Sequence, residues 1–588
     1  PYYAQMLSEI DDAFADAESE LAKNYAELAA SQKEVDSIEP PTVYALTRNE
    51  NAGYAAFEQD STIIENISVV FPVFFFLVAA LVCITTMTRM VEKQRAQIGV
   101  LKAMGYGKGR ICGKYLFYAA SAGLIGSVLG FFIGTAFIPM VFWSAYTTTY
   151  NFADTLLYSF DPLMYILSLA ISMLCTAGVA VLCCRNALRE VPATILRPKT
   201  PKNGKRILLE RFKLWRHVSF LRKVSLRNVI RYKQRFFLMI LGISGCTALL
   251  LTGFGIRDSI QNVTAYQYGE IILYDAEITF TDSLDKPQQE DFVARHDDFE
   301  SILFLSVCNA DITADSGTKS VSLTAVSDGA LSGYMNLHDH DTPVSYPGDE
   351  DVILCRGVAE KLGIKTGEMV TLTDDSLRQV TVRVTGIFDN YIGNYLFVSE
   401  ETMIKLRGEA SENAAYVHFT ADADINLAEL QGDADVSHVS LNKDMKETVE
   451  TSFASLNLVV LLIILCAGIL AFIVLFNLIN INIGERIREI ATIKVLGFFN
   501  NESSDYIFRE VNMLTAVGIL LGLLFGWFLH SFVMAQIKPD GICFDSRIMW
   551  YSYLLSIAIT VVFALLVQIV MQIKLKKISM TESLKSVE

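Results

Sequence analysis

Charged residues are scarce in this sequence. Of its 588 residues only 19% are charged, 52% are hydrophobic, and the mean hydropathy is +0.36. This composition excludes an ordinary soluble enzyme and indicates a membrane protein with substantial water-facing parts. The net charge of −15 also argues against a nucleic-acid partner.

Cysteine and histidine patterns are equally sparse. The ten cysteines include no CxxC pair, so neither a disulfide scaffold nor a zinc site is indicated, although Cys308 and Cys355 share a polar segment and are a candidate pair. The seven histidines are scattered and support no Ser/His/Asp grouping. The HDHD run at 338–341 offers metal-ligating side chains, but a solvated loop is the simpler interpretation. We therefore predict no metal site and no cofactor bound by this chain.

A nucleotide-binding loop is also missing. In GRICGKY (109–115) the glycine spacing is one residue short, and Tyr115 stands where a phosphate loop needs Ser or Thr. The chain is therefore not expected to act as an ATPase, or as any other enzyme, by itself.

Long apolar runs, by contrast, are abundant. Crossing about 30 Å of hydrocarbon takes roughly 20 helical residues. Charges inside the runs are almost absent, which disfavours an ion-coupled carrier because such proteins keep ionisable residues in mid-membrane. Seven runs are long enough to cross, near 66–88, 115–142, 161–184, 236–256, 456–482, 508–535 and 549–573.

The connecting segments separate by charge. Residues 89–114 and 185–235 are basic, as is the KLKK tail, whereas 1–65 and 257–455 are acidic. Because basic loops remain in the cytoplasm, we predict a multi-pass protein of the cell membrane. Its residue 1 lies outside and its C-terminus lies in the cytoplasm.

The two acidic segments differ in pattern. Apolar residues recur every seven positions from Leu7 to Val35, which favours one arm of a coiled coil over a lone amphipathic helix. Residues 257–455 alternate β-rich runs such as VTVRVTGIF with turns and short helical patterns. The predicted fold class is a mainly α-helical transmembrane bundle with an α+β extracytoplasmic domain and a coiled-coil arm.

The sequence also repeats itself in tandem. One constant shift places Ile98 on Ile490, Lys102 on Lys494 and Gly105 on Gly497, and a slightly shorter shift places VPATILR (191–197) on SMTESLK (579–585). We interpret this as a duplication, whose first copy is expected to own a further membrane helix and outer domain preceding this sequence. The first shift also superposes two glycine triplets, Gly126, Gly130, Gly134 and Gly518, Gly522, Gly526.

Glycines four residues apart form a flat stripe that lets another helix approach closely within a membrane. Both triplets are therefore predicted to pack tightly against a helix. The contact lies either within the chain or between subunits.

The repeated segments EKQRAQIGVLKAMGYGKGR (92–110) and GERIREIATIKVLGFFNNE (484–502) each lie between apolar runs. Each predicts a cytoplasmic helix, a stop at Gly105 or Gly497, a turn and the next membrane helix. Their basic side chains are expected at the surface, where they either anchor the segment to lipid or dock a cytoplasmic partner. Reversing the charge of Lys102 and Lys494 is accordingly expected to cost the fold little.

QIGVLKAMG and EIATIKVLG resemble the cytoplasmic signature of the FtsX-like permease family, the membrane subunits of MacB-type ABC transporters. PATILR and VILCRGVAEKLGIKTGEMVTL resemble further parts of that family. We call each repeated segment, a short helix with the turn that leads into the next membrane helix, an elbow. The resemblance implies that both elbows dock on a cytoplasmic ABC ATPase dimer, a separate protein that uses ATP and Mg. The less basic second elbow predicts two inequivalent sites. The docking residues carried over by motif are Arg95, Gly99, Leu101, Lys102 and Gly105, then Arg488, Ile490, Ile493, Lys494 and Gly497.

The predicted domains are the end of a first extracytoplasmic region (1–65), a first permease half (66–198), a basic linker (199–235), a membrane helix (236–256), an outer domain (257–455) and a second permease half (456–588). Two functions fit this organisation in the lipid bilayer. ATP-driven motion either exports or extracts a substrate through the outer domains, or transports nothing and regulates an extracytoplasmic protein partner such as a cell-wall hydrolase or sensor.

Overall fold

The chain divides into two units, Pro1–Glu58 and Gln59–Glu588. The predicted coiled-coil arm falls almost entirely outside the described residues and stays a prediction. The computed structural model describes residues 52–149, 158–196, 233–296, 298–326, 331–340, 342–408, 411–420, 427–485, 487–497, 499–537 and 541–576, with 21, 23–25, 28 and 156.

Seven helices within the described residues are long and apolar enough to cross a membrane. They coincide with the seven predicted runs, so the prediction of a mainly helical membrane protein is confirmed. Their bounds are Ser61–Lys93, Lys108–Trp143, Pro162–Asn186, Phe236–Ile271, Asn442–Gly484, Phe508–Gln536 and Trp550–Leu575.

Within its described residues the first half consists of helices. Helix α4 begins sharply because the Asp161 carboxylate accepts the Leu163 backbone N–H at 2.8 Å and Pro162 occupies the first helical position. A π-helical turn (Leu174–Gly178) joins α4 to α5. The helices are α1 (Ala52–Lys93), α2 (Arg95–Ala103), α3 (Lys108–Thr149), α4 (Pro162–Met173), α5 (Val179–Ala187) and α6 (Pro192–Leu196).

Helix α7 (Lys233–Tyr266) leads through a second π-helical turn (Gln267–Ile271) into a sheet-rich domain. Helices α8 (Lys286–Arg295), α9 (Arg356–Leu362), α10 (Glu400–Arg407) and α11 (Leu427–Gln431) flank the sheet. The strands are β1 (Ala276–Phe280), β2 (Phe299–Ala314), β3 (Gly317–Val326), β4 (His338–Asp339), β5 (Thr342–Pro343), β6 (Asp351–Cys355), β7 (Met369–Asp374), β8 (Gln379–Phe388), β9 (Tyr395–Val398), β10 (Ala414–Phe419) and β11 (Val436–Leu441).

Nine of these strands form one sheet in the order β11-β1-β10-β2-β3-β9-β6-β8-β7. Strand β2 also pairs with β7, so the six strands from β2 to β7 in this order close into a ring. Leu323, Leu372 and Leu396 share one face of these strands by register and are fully buried. The predicted α+β domain is thereby confirmed. Cys308 and Cys355 are both free, with Cys308 Sγ 3.7 Å from Met403 Sδ and Cys355 Sγ 3.9 Å from the Gly393 carbonyl oxygen, so the candidate disulfide is not formed.

The second half follows with α12 (Asn442–Glu485), α13 (Ile487–Val495), α14 (Asn500–Gln536) and α15 (Trp550–Lys576). Helix α7 packs against α12, α14 and α15, and its buried Ile243, Leu249 and Leu250 belong to the same apolar core as residues of those helices. Within a membrane such close packing, rather than burial from water, holds helices together.

The two glycine triplets behave differently. A Cβ placed on Gly522 would lie 2.9 Å from the Ser244 carbonyl oxygen and 3.1 Å from Ser244 Cα, so α14 and α7 touch backbone to backbone. A Cβ on Gly126 or Gly130 would meet nothing within 4 Å in the described structure. No described helix occupies on α3 the place that α7 occupies on α14, so tight packing of the first triplet, within the chain or between subunits, stays a prediction.

Candidate functional site

The two repeated segments fold into matching elbows. Helices α2 and α13 each stop at a glycine in the left-handed region, with φ of +86° at Gly105 and +95° at Gly497. A side chain with a Cβ is strained there, so glycine is required at both stops. The predicted order of helix, glycine stop and next membrane helix is confirmed in both copies.

The lysine of each elbow points inward, at the end of the last membrane helix of its own half. Lys102 Nζ donates to the Leu188 carbonyl oxygen at 2.9 Å and also to that of Glu190, and Lys494 Nζ donates to the Leu575 carbonyl oxygen at 2.8 Å. Leu188 is the C-cap residue of α5, and Leu575 is the penultimate residue of α15. The last carbonyls of a helix lack partners and carry partial negative charge, so both ammonium groups cap a helix end.

These contacts correct the expectation that both lysines are surface residues. The side chain of Lys494 is only 7% exposed, and burial lowers its pKa. Its retention in the repeat has a physical reason inside the chain, because the ammonium holds α13 to the end of α15.

In the first half, α6 completes the elbow. Gly99 lets α6 approach α2, since a Cβ there would lie 2.9 Å from Leu196 Cδ2 and 3.1 Å from Ile195 Cγ2. The Arg95 guanidinium pairs with the Glu190 carboxylate and donates to the Thr194 carbonyl oxygen at 3.1 Å. The PATIL segment (192–196) therefore forms the surface against which the elbow helix α2 packs.

Large apolar side chains point outward from each elbow. Met104 is 68% exposed and Phe499 is 78% exposed, although both lie beside the ends of membrane-spanning helices. Clustered exposed apolar side chains outside a membrane mark contact surfaces. We define the first elbow patch as Val100, Met104 and Tyr106, and the second elbow patch as Val495, Leu496 and Phe499.

The residues predicted from the motif therefore lie mostly on the inner side of the elbows. Gly99 and Ile490 are buried, Leu101 and Ile493 are half-buried, and the side chain of Arg488 is outside the described part of the structure. Sequence reasoning missed the patch residues because it relied on positions that are alike in the two repeated segments. Those positions are the ones that hold each elbow to the rest of its half. A signal was present: both elbows keep bulky apolar residues beside the stop glycine.

The HDHD run belongs to a polar cluster on the outer domain. Ligand-capable atoms of Asp339, His340 and Asp389 all lie within 4.8 Å of one another. The Arg356 guanidinium donates through Nε to Asp389 at 2.5 Å and through Nη2 to Asp339. Because this cation already bridges the two carboxylates, the cluster is an ion-pair network.

Fold and elbows together define an integral membrane protein with two homologous permease halves. The sequence model of the family described as FtsX-like permease C-terminal matches residues 69–192 and 461–580. The chain therefore carries two FtsX-like permease domains within a multi-pass membrane protein.

Parts of the chain are similar to two solved structures. One is the periplasmic region of MacB from Actinobacillus actinomycetemcomitans, with 13% identity, 30% of this chain and 94% of that chain covered, and a TM-score of 0.21. The other is the extracellular domain of the noncanonic ABC-type transporter YknZ from Gram-positive bacteria, with 15% identity, 25% and 85% covered, and a TM-score of 0.19. Comparison with curated proteins gives no match.

Proposed function

We propose that this permease transmits the motion of a separate cytoplasmic ABC ATPase dimer through its two elbows to the outer domain, and so exports or extracts a substrate at the outer membrane surface. The observation that carries the proposal is the pair of exposed elbow patches, each built on a helix locked to the permease core. ATP and Mg are used by the ATPase, and the permease contributes the moving parts.

The elbow geometry supports a mechanical role. Each elbow is covalently joined to the membrane helices on either side of it and is tied by Lys102 or Lys494 to the end of a third helix. A displacement applied at an elbow patch therefore reaches three membrane helices together. In the second half those helices are α12, α14 and α15.

The two patches are chemically different. The first combines Val100, Met104 and Tyr106, whereas the second presents Val495, Leu496 and the aromatic Phe499. The second patch is the more exposed, with Leu496 71% and Phe499 78% exposed against 49% for Val100 and 45% for Tyr106, so a partner that covers it removes more apolar surface from water. We therefore expect the second elbow to bind the ATPase more tightly than the first.

The docking surface is tested with Phe499→Asp and Met104→Asp, alone and together. Both side chains are exposed, and Phe499 is the N-cap residue of α14, where Asp is favourable, so neither change should destabilise the fold by more than about 0.5 kcal/mol. A buried interface anchor is worth at least about 2 kcal/mol, so each change should weaken ATPase binding roughly 30-fold or more. The measurement is co-purification, and then titration, of the partner ABC ATPase with each permease variant.

The matched control is Leu377→Asp. Leu377 is also a highly exposed apolar residue, but it lies in the turn between β7 and β8 of the outer domain. ATPase retention by the double elbow variant, at the same level as Leu377→Asp, would exclude the elbow patches as the docking surface.

Membrane orientation gives a second prediction. A cysteine at Asp315, exposed in the β2–β3 hairpin, should react with an impermeant maleimide added to intact cells. A cysteine at Lys108, exposed at the start of α3, should react only after permeabilisation because its loop is basic and remains inside. The parent chain with its ten native cysteines sets the background. Labelling of Lys108→Cys in intact cells would reverse the orientation.

A further inference from the structure

The outer domain contacts the membrane helices at a third place, away from its two covalent connections. The domain is inserted between α7 and α12, which supply its two covalent connections. The loop between α14 and α15 nevertheless pairs with it. Gly393 N–H donates to the Gly541 carbonyl oxygen at 2.8 Å, Cys543 N–H donates to the Tyr391 carbonyl oxygen at 2.9 Å, and Ile392 and Ile542 face each other as an antiparallel bridge.

A buried amide network holds the domain side of this pairing in place. Gln267 is 1% exposed, and its Oε1 accepts the N–H groups of Tyr391 at 2.8 Å and Ile392 at 3.3 Å. Gln267 Nε2 donates to Asn390 Oδ1 at 2.9 Å, and Asn390 Nδ2 donates to the Ile392 and Gly393 carbonyl oxygens. Each amide thus has both its donor and its acceptor engaged, and a satisfied buried network makes the local backbone rigid.

Apolar contacts fix the same place to the membrane bundle. Tyr391, Ile392, Ile542 and Phe544 all pack on the apolar core formed by the second-half helices. The Tyr391 ring also stacks on Tyr266, at the end of α7, with 5.7 Å between ring centroids.

The far end of the loop is held as well. The Met549 N–H donates to Asp258 Oδ2 at 2.9 Å, immediately before α15 begins at Trp550. Asp258 belongs to α7, so the loop is tied to α7 beside the point where α15 starts. We call the segments Asn390–Gly393 and Gly541–Cys543 the outer joint.

We infer that the outer joint stays closed throughout the working cycle and delivers the motion of α14 and α15 directly to the outer domain. With α7 and α12 as its only connections, the outer domain could rotate relative to the membrane bundle. The outer joint adds a third attachment, so the domain must move together with α14 and α15, the helices to which the second elbow is connected. This inference rests on the proposed function for the source of the motion. The existence of the joint does not depend on it.

The test is a double variant, Ile392→Cys with Ile542→Cys, in a Cys543→Ser background. The two residues form a non-hydrogen-bonded antiparallel pair, for which Cα atoms lie about 4.5 Å apart, within the range that a disulfide spans. Cys543 acts in the joint through its backbone N–H, which serine retains. Mild oxidation of the purified permease, with copper phenanthroline and dissolved oxygen as oxidant, should convert the two thiols to a disulfide almost completely.

The decisive measurement is made on the complex with the ABC ATPase. The disulfide should form equally well without nucleotide and with ATP and vanadate, and the cross-linked complex should hydrolyse ATP within about twofold of its reduced form. Cross-linking in only one nucleotide state, or a tenfold loss of turnover reversed by reductant, would show that the joint opens and would overturn the inference.

A second pair of variants tests whether the disulfide reports a stable joint or captures a contact that forms only rarely. Cys543→Pro removes the N–H that Tyr391 accepts, whereas Cys543→Ala keeps it. Proline should slow cross-linking of the 392–542 cysteine pair at least tenfold and alanine should not; equal rates would contradict a stable joint. Failure of the ATPase to bind any variant or the parent would instead contradict the proposed function, while cross-linking of the isolated permease still decides whether the joint exists.

Discussion

Gly522→Leu should sharply reduce the amount of folded permease. Its Cβ alone would fall 2.9 Å from the Ser244 carbonyl oxygen and 2.6 Å from Thr247 Cβ, and the first of these neighbours is backbone that cannot rotate away. Overpacking of a core typically costs about 1–3 kcal/mol and occasionally more. We expect a cost at or above the top of that range. The folded fraction is measured by size-exclusion chromatography in detergent, and the stability by the midpoint of thermal aggregation.

The repeat supplies a matched control at the equivalent position of the first half. Gly130→Leu introduces the same side chain at the same place in the glycine triplet, but a Cβ there would meet nothing within 4 Å. This variant should behave like the parent chain. Equal damage from both substitutions would mean that a further helix covers the first triplet as α7 covers the second.

Lys494→Glu should also be strongly destabilising, contrary to what its basic sequence context suggests. The new carboxylate would be buried beside the Leu575 carbonyl oxygen, at the negative end of the α15 dipole. An uncompensated buried charge costs about 3–5 kcal/mol. The expected result is a low yield of folded protein and a lowered aggregation midpoint in the same detergent assay.

Two further variants separate charge from packing. Lys494→Met removes the cap but leaves the elbow apolar, and the lost hydrogen bond to a carbonyl should cost about 1–3 kcal/mol. Lys102→Glu should be milder than Lys494→Glu because Lys102 is only half-buried. A parent-like yield and midpoint for Lys494→Glu would refute the capping role. If capping is correct, charge reversal at these lysines damages the fold itself and cannot serve as a test of ATPase docking.

The long-range organisation was predictable because it depends on simple properties. Seven runs of about 20 apolar residues must leave water, and the repeat is visible as identical residues at one constant shift. The glycine stops were predictable as well, since a helix that ends in the left-handed region requires glycine at Gly105 and Gly497. The α+β domain followed from strand-like alternation between turn signals.

The faces of the elbows were not predictable in the same way. Amphipathic spacing suggests which residues of α2 share a side, but it does not say which side faces the protein. That choice is made by α6 and the end of α5, about 90 residues later in the chain, which place Ile98 and Gly99 inside and leave Met104 outside. The outer joint also lacked a sequence signal, because it uses backbone groups of two segments far apart in the chain.

The sequence by itself thus determined the membrane class, the seven spans that the described residues contain, the duplicated plan and the positions of both elbows. These features were readable because hydropathy and glycine backbone freedom act locally, and because the repeat survives in residue identity. Only the tertiary structure decided that Lys102 and Lys494 cap helix ends, that the second glycine triplet packs on α7 while no described helix covers the first, and that the outer domain has a third attachment to the bundle. Each of these depends on which distant backbone lies within a few ångströms, and such proximity is created by packing and not by local pattern.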